Sequence, residues 1–394
     1  MANTLLTIDN ITRECLRVAH EKASFLGTIN RQYDDSFAVA GAKQGASLRI
    51  REPAKYTRRQ GSRVMDVQNA VETSQTVTVA TQDGVDMKFN SSELALSLDE
   101  FSERHIVPAM SVLISGIESD VLQGCTKLVY NLAGTAGTPP ADLAAVGAAR
   151  AKLNQYLAPK DGKRYIQMDS VTMGTLVNGL KGLFHDKSQL EEAFKEGFIG
   201  RTAMADFYEN ERVYTHTNGA DVAGEVNMAA GVVEGATTVT VDGFTAAPAV
   251  GSVFTFELSN AVHPETKASY QHLQQFTVTA ATTTLITFSP AIYASGVNKN
   301  VDVLPVDNDD IVFVGSASTA YVHNLMYHKD AFTFVTADLP LMADASKCVR
   351  KTFDGLSLRV WQASDIRNDE LLTRLDILYG YKALRPEWAC RITS

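Results

Sequence analysis

The chain contains 394 residues, of which 45% are hydrophobic and 21% are charged, and its formal net charge at pH 7 is −9. This composition is ordinary for a globular protein, and the length indicates roughly two or three domains. The pI of about 5.4 argues against a dedicated duplex-DNA binder, because such proteins neutralise phosphates with a basic surface. No apolar run approaches the roughly 20 residues that span a bilayer, and the N-terminus lacks the features of a signal peptide.

The four cysteines, Cys15, Cys125, Cys348 and Cys390, are far apart and form no CxxC pair. In a large chain without a secretion signal, this scatter is typical of buried thiols in a reducing compartment, and a disulfide or metal role is the alternative. We therefore expect a protein made in the cytoplasm without disulfide bonds.

Residues 9–27 predict an amphipathic helix, because apolar side chains recur at helical spacing from Ile11 to Leu26 and Gly27 follows as a stop. A polar, Gly-rich stretch then separates this helix from the rest of the chain. Such a helix can dock on another subunit or pack on its own domain. We expect the first arrangement in an assembly, with the helix mobile in the free subunit.

Alternating residues from 47 to 90 predict three strands, in the stretches "SLRIRE", "QTVTVA" and "VDMKF". The tripeptide Gln82-Asp83-Gly84 predicts a hairpin turn between the last two strands. Seven cations and the single anion Glu52 lie between residues 43 and 63. The alternatives for this basic segment are contact with nucleic acid, contact with an acidic surface of another subunit, and a solvated loop.

A long helix follows, and it begins with a capping box formed by Ser97 and Glu100 in "SLDE". Pro108 is expected to divide a short leading helix from a longer one. One apolar stripe then runs from Met110 to Leu128 at helical spacing. This helix needs about 30 Å of partner surface, at a rise of about 1.5 Å per residue.

Helices and single strands alternate from residue 143 to about residue 215, which indicates a mixed α+β domain. One helix ends at "APKDG", the strand "KRYIQM" follows, and Asp169 or Ser170 is expected to cap the next helix. A second capping box, Ser188 with Glu191, predicts a further helix. The segment "FIGRTAMADFYENERV" then returns as an extended stretch.

The composition changes between residues 216 and 303, which contain two cations and seven anions and are rich in Thr, Val, Ala and Gly. Short alternating runs, such as Val239 with Val241 and Phe254 with Phe256, are separated by turn residues. This spacing predicts a small β-barrel or sandwich that folds as an autonomous domain. After "LPVDNDD" the mixed α+β pattern resumes with "IVFVGSAS", so we interpret the block as an insertion into one discontinuous unit.

The chain contains none of the HExxH, GxGxxG or P-loop motifs. His323 and His328 lie five residues apart, whereas a zinc-binding helix places its two histidines four apart on one face. The stretch "DNDD" at 307–310 lacks the Gly and Glu of a calcium loop, and no pattern places a nucleophile beside His263 and Glu265. We therefore expect no enzymatic activity, no cofactor and no metal.

The order of these pieces resembles the major coat protein of tailed bacteriophages, which has the Hong Kong 97 phage capsid fold. The closing stretch "YGYKALRPEWACRI" looks like that family's final "YG…A.RPE" strand. "FIGRTAMADFYENERV" resembles the strand at which many such proteins close their axial lobe. "GSVFTFELSNAVHPETK…QFTVTAATTTLITFSPAI" is similar to the inserted domain of the Salmonella phage P-twenty-two coat protein.

The resemblance covers essentially the whole chain and implies an α+β fold with an inserted small β-barrel. The implied parts are an N-terminal arm (1–37), an extended loop hairpin (38–90), a peripheral domain with the spine helix (91–135 and 343–394), an axial domain (136–215 and 304–342) and the inserted β-domain (216–303). The chain departs from the P-twenty-two type at residues 222–236, which are short and nearly devoid of basic residues. That type carries a charged loop there, which reaches across a two-fold axis.

The resemblance also explains why the chain ends on an apolar, aromatic run. It implies that the closing strand, with Ile377 and Tyr379, lies in the sheet of the peripheral lobe and against the long helix. Arg385-Pro386 would end that strand, because proline cannot donate a hydrogen bond to a ladder. Trp388 would then re-enter the same lobe.

The function implied by the resemblance is structural: self-assembly into an icosahedral shell around packaged double-stranded DNA. The implied partners are further copies of the chain in hexamers and pentamers, a scaffolding protein, a portal and, through weak contacts, DNA, with no membrane. The protein would be made in the host cytoplasm and reside in the virion capsid. An acidic subunit suits this task, because a strongly cationic wall would bind the polyanion and obstruct packaging. The rivals are an encapsulin-like compartment and a receptor- or carbohydrate-binding protein.

In this fold the extended loop lies over a neighbouring subunit. We therefore predict an ionic contact between arginines of the loop and carboxylates at the start of the neighbour's spine region. The residues of this contact are Arg58, Arg59, Arg63, Asp99, Glu100 and Glu103. One exposed pair contributes only about 0.2–1 kcal/mol, but a shell repeats each contact and engages several neighbours at once.

Overall fold

The computed structural model describes residues 8–32, 46–51, 53–56, 58, 74–90, 102–180, 201–341, 347–353, 355–365 and 370–394. The chain forms two compact units. The first unit comprises Met1–Ile50, Ser74–Val121 and Phe332–Lys382, and the second comprises Arg51–Thr73, Leu122–Ala331 and Ala383–Ser394. Each unit is therefore discontinuous in sequence.

The described residues form five α-helices and twenty-one strands. The helices are α1 (Ile8–Lys22), α2 (Phe25–Thr28), α3 (Val107–Leu128), α4 (Leu143–Gln155) and α5 (Ser170–Leu180). The strands are β1 (Asn30–Gln32), β2 (Ala46–Arg51), β3 (Ser74–Val79), β4 (Thr81–Asn90), β5 (Leu132–Ala133), β6 (Arg164–Met168), β7 (Arg201–Thr202), β8 (Ala205–Glu209), β9 (Tyr214–Thr217), β10 (Ala223–Val226), β11 (Thr238–Asp242), β12 (Val253–Val262), β13 (Ser269–Ala281), β14 (Leu285–Ser289), β15 (Asp310–Phe313), β16 (Ala320–His328), β17 (Phe332–Ala337), β18 (Lys347–Phe353), β19 (Leu356–Asp365), β20 (Glu370–Ala383) and β21 (Ala389–Thr393).

The first unit is built on a six-stranded sheet with the order β1-β17-β20-β19-β18, in which β4 also pairs with β20. The predicted hairpin between β3 and β4 is wrong. Strand β3 pairs with β2, whereas β4 runs antiparallel to β20, with Gly84 opposite Asp376. A Cβ at Gly84 would lie 2.5 Å from the carbonyl oxygen of Leu375, so this glycine permits close strand approach instead of a turn.

The predicted N-terminal helix is present, but it is divided into α1 and α2 at residues 23–24. Cys15 and Val18 are buried, and Asp9 forms an ion pair with Lys351 of β18 at 2.7 Å. The structure therefore packs the helix on its own chain, which is the second of the two arrangements, and the expectation that the helix is mobile in the free subunit is wrong. The apolar stripe finds a complementary surface within the first unit, so no second subunit is required to cover it.

A buried carboxylate of α3 holds the start of α2. Glu118 is fully buried, and its Oε1 accepts hydrogen bonds from Ser24 Oγ (2.8 Å) and from the backbone N–H of Phe25. The Phe25 ring packs on Phe332 with centroids 6.0 Å apart. The segment is therefore tied to the unit by both a polar and an apolar contact.

Helix α3 is the predicted spine. Met110, Ile117 and Val121 of its apolar stripe are buried, and a π-helical turn, Ser102–Ile106, precedes it near Pro108. The capping box in "SLDE" lies outside the described residues. By length and composition alone, residues 104–128 could also cross a membrane, a test that core helices of soluble proteins pass equally well.

The second unit contains a seven-stranded sheet with the order β5-β21-β16-β6-β8-β7, in which β9 also pairs with β16. Helices α4 and α5 supply part of its apolar core through Val146, Leu153 and Leu176, and the sheet supplies Ile166 and Met326. The predicted strands "KRYIQM" and "FIGRTAMADFYENERV" appear as β6 and as β7 with β8. The predicted mixed α+β character is therefore confirmed for this part.

Polar caps begin the helices of this unit. Asp142 accepts a hydrogen bond from the backbone N–H of Ala144 at 2.8 Å, and Asp169 accepts one from that of Thr172 at 3.2 Å. Of the two predicted caps for α5, Asp169 is the one used. The helix predicted at "SQLE" lies outside the described residues.

The inserted β-domain is a closed barrel with the order β10-β11-β14-β13-β12-β15. Its centre is a cluster of phenylalanine rings, in which Phe254 lies 5.3–6.0 Å from each of four neighbours. The barrel continues past the expected boundary at residue 303, because β15 closes it between β10 and β12. Ile311 and Phe313 of β15 are buried in the barrel core, so "IVFV" belongs to the barrel and not to the flanking domain.

We expect a fragment of about residues 220–316, which contains all six strands, to fold alone. Its core is self-contained, so a cooperative thermal transition and dispersed amide NMR signals should result. A fragment of residues 216–303 is the matched control, because it lacks β15 and leaves β10 and β12 unpaired on one side. A disordered spectrum from the longer fragment would refute autonomy.

The closing stretch of the chain belongs to two sheets. Tyr379 of β20 donates to Asp120 of α3 at 2.9 Å, which confirms that this strand lies against the spine helix. After Arg385-Pro386, β21 pairs with β16 and β5 in the second unit. The expectation that Trp388 re-enters the first lobe is wrong, because its indole Nε1 donates to the carbonyl oxygen of Tyr156 at 3.1 Å.

Candidate functional site: the barrel-docking seam

The structure describes only part of the predicted ionic contact between subunits. Arg58 is exposed to solvent. Glu103 lies in the π-helical turn before α3, where only its backbone is described. The other residues of the contact lie outside the described residues; they are Arg59, Arg63, Asp99 and Glu100. The contact therefore stays a prediction.

Polar side chains of the barrel strand β13 attach the barrel to the rest of the second unit. Gln275 Oε1 accepts from the backbone N–H of Leu132 (2.9 Å) and from Lys152 Nζ (3.0 Å), and its Nε2 donates to Leu132 O (3.1 Å). The side-chain amide of Gln275 therefore both accepts from and donates to the backbone of Leu132 in β5, as the backbone of an adjacent strand would. We call this row of contacts the barrel-docking seam; its barrel residues are Tyr270, Gln274, Gln275 and Thr277.

The seam continues in both directions along β13. Tyr156 donates its hydroxyl to Gln274 Oε1 at 2.8 Å, and Tyr270 donates its hydroxyl to the carbonyl oxygen of Gln155 at 3.2 Å. At the other end, Thr277 Oγ1 donates to the carbonyl oxygen of Lys127 at 2.9 Å. Because these bonds are directional and spread along one strand, they fix the orientation of the barrel on this unit.

Arg391, from the last strand of the chain, lies beneath the seam and is fully buried. Its Nη1 donates to the carbonyl oxygen of Gly251 (2.6 Å), and its Nη2 donates to the carbonyl oxygen of Lys127 (2.9 Å) and to Thr277 Oγ1 (3.1 Å). One side chain therefore joins β21, the barrel and the end of α3. Burial lowers the pKa of Arg391 to about 9, and the negative end of the α3 dipole offsets part of the burial penalty.

Two histidines lie beside Arg391. Tyr214 Oη lies 3.0 Å from His216 Nδ1, and His216 Nε2 lies 2.9 Å from Ser252 Oγ of the barrel. The ring of His323 is 5.6 Å from that of His216. Burial, and then the charge of Arg391, lower the pKa of His216 to about 4 and the pKa of His323 well below its usual range. Both rings are therefore neutral at pH 7.

Because His216 and His323 are neutral in the folded state, we predict that the second unit loses stability in acid. In the unfolded chain each ring binds a proton below about pH 6.5, whereas in the folded unit the pKa of His216 is lowered to about 4. The unfolded state therefore takes up protons first, and stability falls as the pH falls from 6.5 towards 4, by on the order of 2–3 kcal/mol for His216. Thermal melts across this range should show the loss.

The matched control replaces both rings, as in the double variant His216→Gln with His323→Gln. Its overall stability will be lower, but its melting temperature should vary less between pH 6.5 and 4, because the depressed pKa values are gone. An unchanged pH dependence in that variant would show that carboxylates, and not these rings, set the acid response.

The side chains of the seam hydrogen-bond to one another and to backbone atoms of the second unit. His323 and His328, the pair considered for zinc, face different partners, since His328 Nε2 lies 3.0 Å from Asp161 Oδ1. Among the residues that the structure describes, no three His, Cys, Asp or Glu side chains form a group that could hold a metal ion.

Sequence reasoning missed the seam, although it left two signals. Gln274 and Gln275 interrupt the apolar alternation of "HLQQFTV", and Arg391 stands alone among small and apolar residues in "ACRIT". A polar pair or a lone arginine inside a strand indicates a buried partner when the strand is internal. Neither signal identifies the partner, because Lys127 and Gly251 lie far away in sequence.

The sequence family described as "P22 coat protein - gene protein 5" matches residues 39–391 of this chain, and the chain belongs to that family. The predicted α+β composition with an inserted closed β-barrel is confirmed. No curated protein sequence matches the chain.

Several solved structures are similar to this chain at low identity. The capsid of Ralstonia phage GP4 is 8% identical with a TM-score of 0.48, over 95% of this chain and 91% of that one. The chain from Mycobacterium phage Che8 is 12% identical with a TM-score of 0.47, over 94% and 90%. The virus-like particle from Pyrococcus furiosus is 9% identical with a TM-score of 0.41, over 98% of both chains. Membership of the family rests on the sequence match.

Proposed function

We propose that this protein is the shell-forming coat protein of a tailed phage, and that its copies assemble into an icosahedral capsid around double-stranded DNA. The observation that carries the proposal is the family match, which spans residues 39–391 and so includes the barrel and both units except for residues 1–38 and 392–394. The role is structural and not enzymatic, in keeping with a family of coat proteins. An encapsulin-like compartment is the weaker alternative, since the matched family is a phage coat family.

The proposed partners are other copies of the chain, arranged as hexamers and pentamers, together with a scaffolding protein and a portal. The DNA contact is weak and non-specific, because the net charge of −9 disfavours tight binding to a polyanion. Synthesis in the host cytoplasm precedes residence in the virion. The division into arm, extended loop, peripheral domain and axial domain belongs to this proposal, with β15 assigned to the barrel and residues 383–394 to the second unit.

The barrel-docking seam supports a specific part in assembly. A shell repeats one subunit many times, so an inserted domain must sit at the same angle in each copy to make equivalent contacts. Gln275 and Arg391 fix that angle through directional bonds to Leu132, Lys127 and Gly251. We infer that the seam orients the barrel for assembly.

Assembly and DNA enclosure can be tested separately. The protein expressed alone or with its scaffolding partner should sediment as large particles, and particles from infected cells should protect DNA from nuclease. Particles that enclose proteins instead of DNA would favour the encapsulin-like alternative. A chain that stays monomeric under all these conditions would contradict the shell function.

The arginines of the extended loop are expected to act between subunits. Changing Arg58→Glu together with Arg59→Glu should leave the melting temperature of the free subunit nearly unchanged, because Arg58 is exposed, yet should prevent particle formation. The reason is that like charges would face the proposed carboxylates in every copy of the contact. Sedimentation of assembly reactions measures the effect.

Two further variants make this test specific. Reversing Asp99 and Glu100 to lysine in the same chain should partly restore assembly. The exposed Lys160, changed to Glu, is the control for altered net charge. If the double arginine variant gives a normal particle yield, the two arginines belong to a solvated loop and make no contact between subunits. If the variant instead loses much of its subunit stability, the two arginines pack on their own chain.

A further inference from the structure

Three buried side chains near the barrel-docking seam each carry a polar atom that is not hydrogen-bonded. The atoms are Arg391 Nε, His323 Nδ1 and Thr393 Oγ1, and none of them has a partner among the residues that the structure describes. The three residues are 0%, 4% and 1% exposed, respectively. Buried polar groups of native proteins almost always hydrogen-bond to protein, to ordered water or to an ion. Three such atoms on neighbouring residues therefore indicate a ligand.

Strand pairing places these three side chains on one face of the seven-stranded sheet. His323 of β16 lies directly opposite Thr393 of β21, so their Cβ atoms are about 5 Å apart. Arg391 lies two residues before Thr393 on β21, and its side chain therefore points to the same face. The other face carries Met326 and Ile392, which belong to the apolar core with α4 and α5. The three polar side chains are thus neighbours on the face from which Arg391 contacts the barrel.

The electrostatic environment of this face is positive. The Nη atoms of Arg391 donate to two carbonyl oxygens and one hydroxyl, all of which are neutral, and no ion pair within the described ranges includes this guanidinium. A second cation, Lys127 Nζ, lies 5.2 Å from the centre of the Tyr214 ring, and Tyr214 is directly opposite His323. A buried charge without a counter-ion is costly. The site therefore favours a ligand with negative charge.

Hydrogen-bond chemistry also favours an anion over water. Arg391 Nε can only donate a hydrogen bond, and the Thr393 hydroxyl and the Nδ1–H tautomer of His323 can each donate one. A water molecule has two lone pairs and cannot accept from all three groups at once. An anion can accept all three hydrogen bonds, and these bonds are stronger because the acceptor is charged.

We propose that Arg391, His323 and Thr393 form a binding site, the anion site, for a small monovalent inorganic anion such as chloride. The anion is monovalent because a ligand among side chains that are at most 4% exposed gives up its hydration, which costs far more for a divalent ion. This inference goes beyond the proposed shell function. It concerns the single subunit, in which the anion neutralises Arg391 and strengthens the docking of the barrel.

Thermal melts of the free subunit at pH 7 test the site. The two salts are sodium chloride and sodium gluconate at equal ionic strength, so charge screening is the same, and gluconate is too large for the site. Fluorescence of Trp388 in a Trp361→Phe background follows the second unit, which contains Trp388. Above the dissociation constant, each tenfold rise in chloride should raise the melting temperature by roughly 3–5 °C.

A Thr393→Val variant tests the assigned residues, because valine keeps the shape of threonine and removes the hydroxyl. It should need roughly tenfold more chloride for the same increase in melting temperature. In gluconate it should be at least as stable as the unchanged chain, since a buried unpaired hydroxyl is itself unfavourable. The matched control is Thr333→Val in the first unit, another fully buried threonine whose Oγ1 has no partner in the described part of the chain. That variant should keep the full chloride response.

Crystals of the unchanged subunit grown in sodium bromide locate the ion directly, and they decide the question if Thr393→Val does not fold. We expect an anomalous-scattering peak beside Arg391 Nε. A water molecule at that position without anomalous signal overturns the anion site. Equal melting temperatures in chloride and gluconate overturn it too, as does a chloride response that Thr393→Val leaves unchanged. Because every measurement uses the free subunit, these outcomes leave the proposed shell function standing.

Discussion

Replacing Arg391 by methionine should lower the free energy of unfolding of the second unit by about 3–5 kcal/mol. The variant loses three hydrogen bonds and leaves the carbonyl oxygens of Lys127 and Gly251 without this donor. A hydrogen bond to a charged group contributes about 1.5–3 kcal/mol, and a buried group left unpaired costs about 1–3 kcal/mol. Thermal unfolding should shift down by roughly 10 °C, and amide exchange at Leu132 and Gln275 should accelerate.

A surface cation of the same unit provides the matched control. Lys163 is 59% exposed and lies 3.8 Å from Asp161, so Lys163→Met should change stability by less than about 1 kcal/mol. Arg391→Lys gives a second measurement, since an ammonium keeps the charge but cannot reach all three acceptors in the same geometry. Equal melting temperatures for Arg391→Met and Lys163→Met would show that the buried arginine does not hold the barrel.

Replacing Asp376 by alanine should destabilise the first unit by about 3–5 kcal/mol, because it leaves a buried guanidinium without its carboxylate. Asp376 is fully buried and accepts from Arg359 Nη2 at 2.6 Å and from Arg374 Nε at 2.7 Å. Burial alone would raise the pKa of Asp376, but the hydrogen bonds from Arg359 and Arg374 outweigh burial and lower it. Chemical denaturation of the whole chain in a Trp388→Phe background, followed by Trp361 fluorescence, reports on this unit.

Asp86→Ala is the control for this prediction. Asp86 also faces Arg374, but at 3.9 Å and with 80% of its side chain exposed, so its loss should be nearly neutral. Asp376→Asn separates charge from shape, because the amide fills the same volume. If Asp376→Ala and Asp86→Ala have the same stability, the buried pair contributes nothing to the unit.

Local sequence patterns predicted those helices and strands whose packing partners or capping residues lie nearby in the sequence. The alternating apolar residues of β12, β13 and β14 indicated a small β-barrel or sandwich, and their side chains meet in the core of a barrel. The stripe of α3 and the cap at Asp169 were likewise predictable, because helix periodicity and capping depend on residues within one or two turns. The break at Arg385-Pro386 followed from the chemistry of proline alone.

Pairing between distant segments could not be predicted. Gly84 looked like a turn residue, but its partner strand begins at Glu370, and nothing near Gly84 specifies that pairing. The barrel boundary was placed too early because the apolar alternation of β15 is the same as that of the flanking strands. The seam partners Gln275 and Leu132 are 143 residues apart. The local sequence therefore marks Gln275 as an unusual residue for its strand, but it does not identify the group that Gln275 binds.

The most direct test of the shell function is a negative-stain electron micrograph of the purified protein after expression with its scaffolding partner. We expect closed, uniform, round shells of many subunits, and the Arg391→Met variant should give fewer or malformed ones because its barrel is poorly held. Monomers or amorphous aggregates in place of shells, from a chain that is folded by circular dichroism, would contradict the shell function.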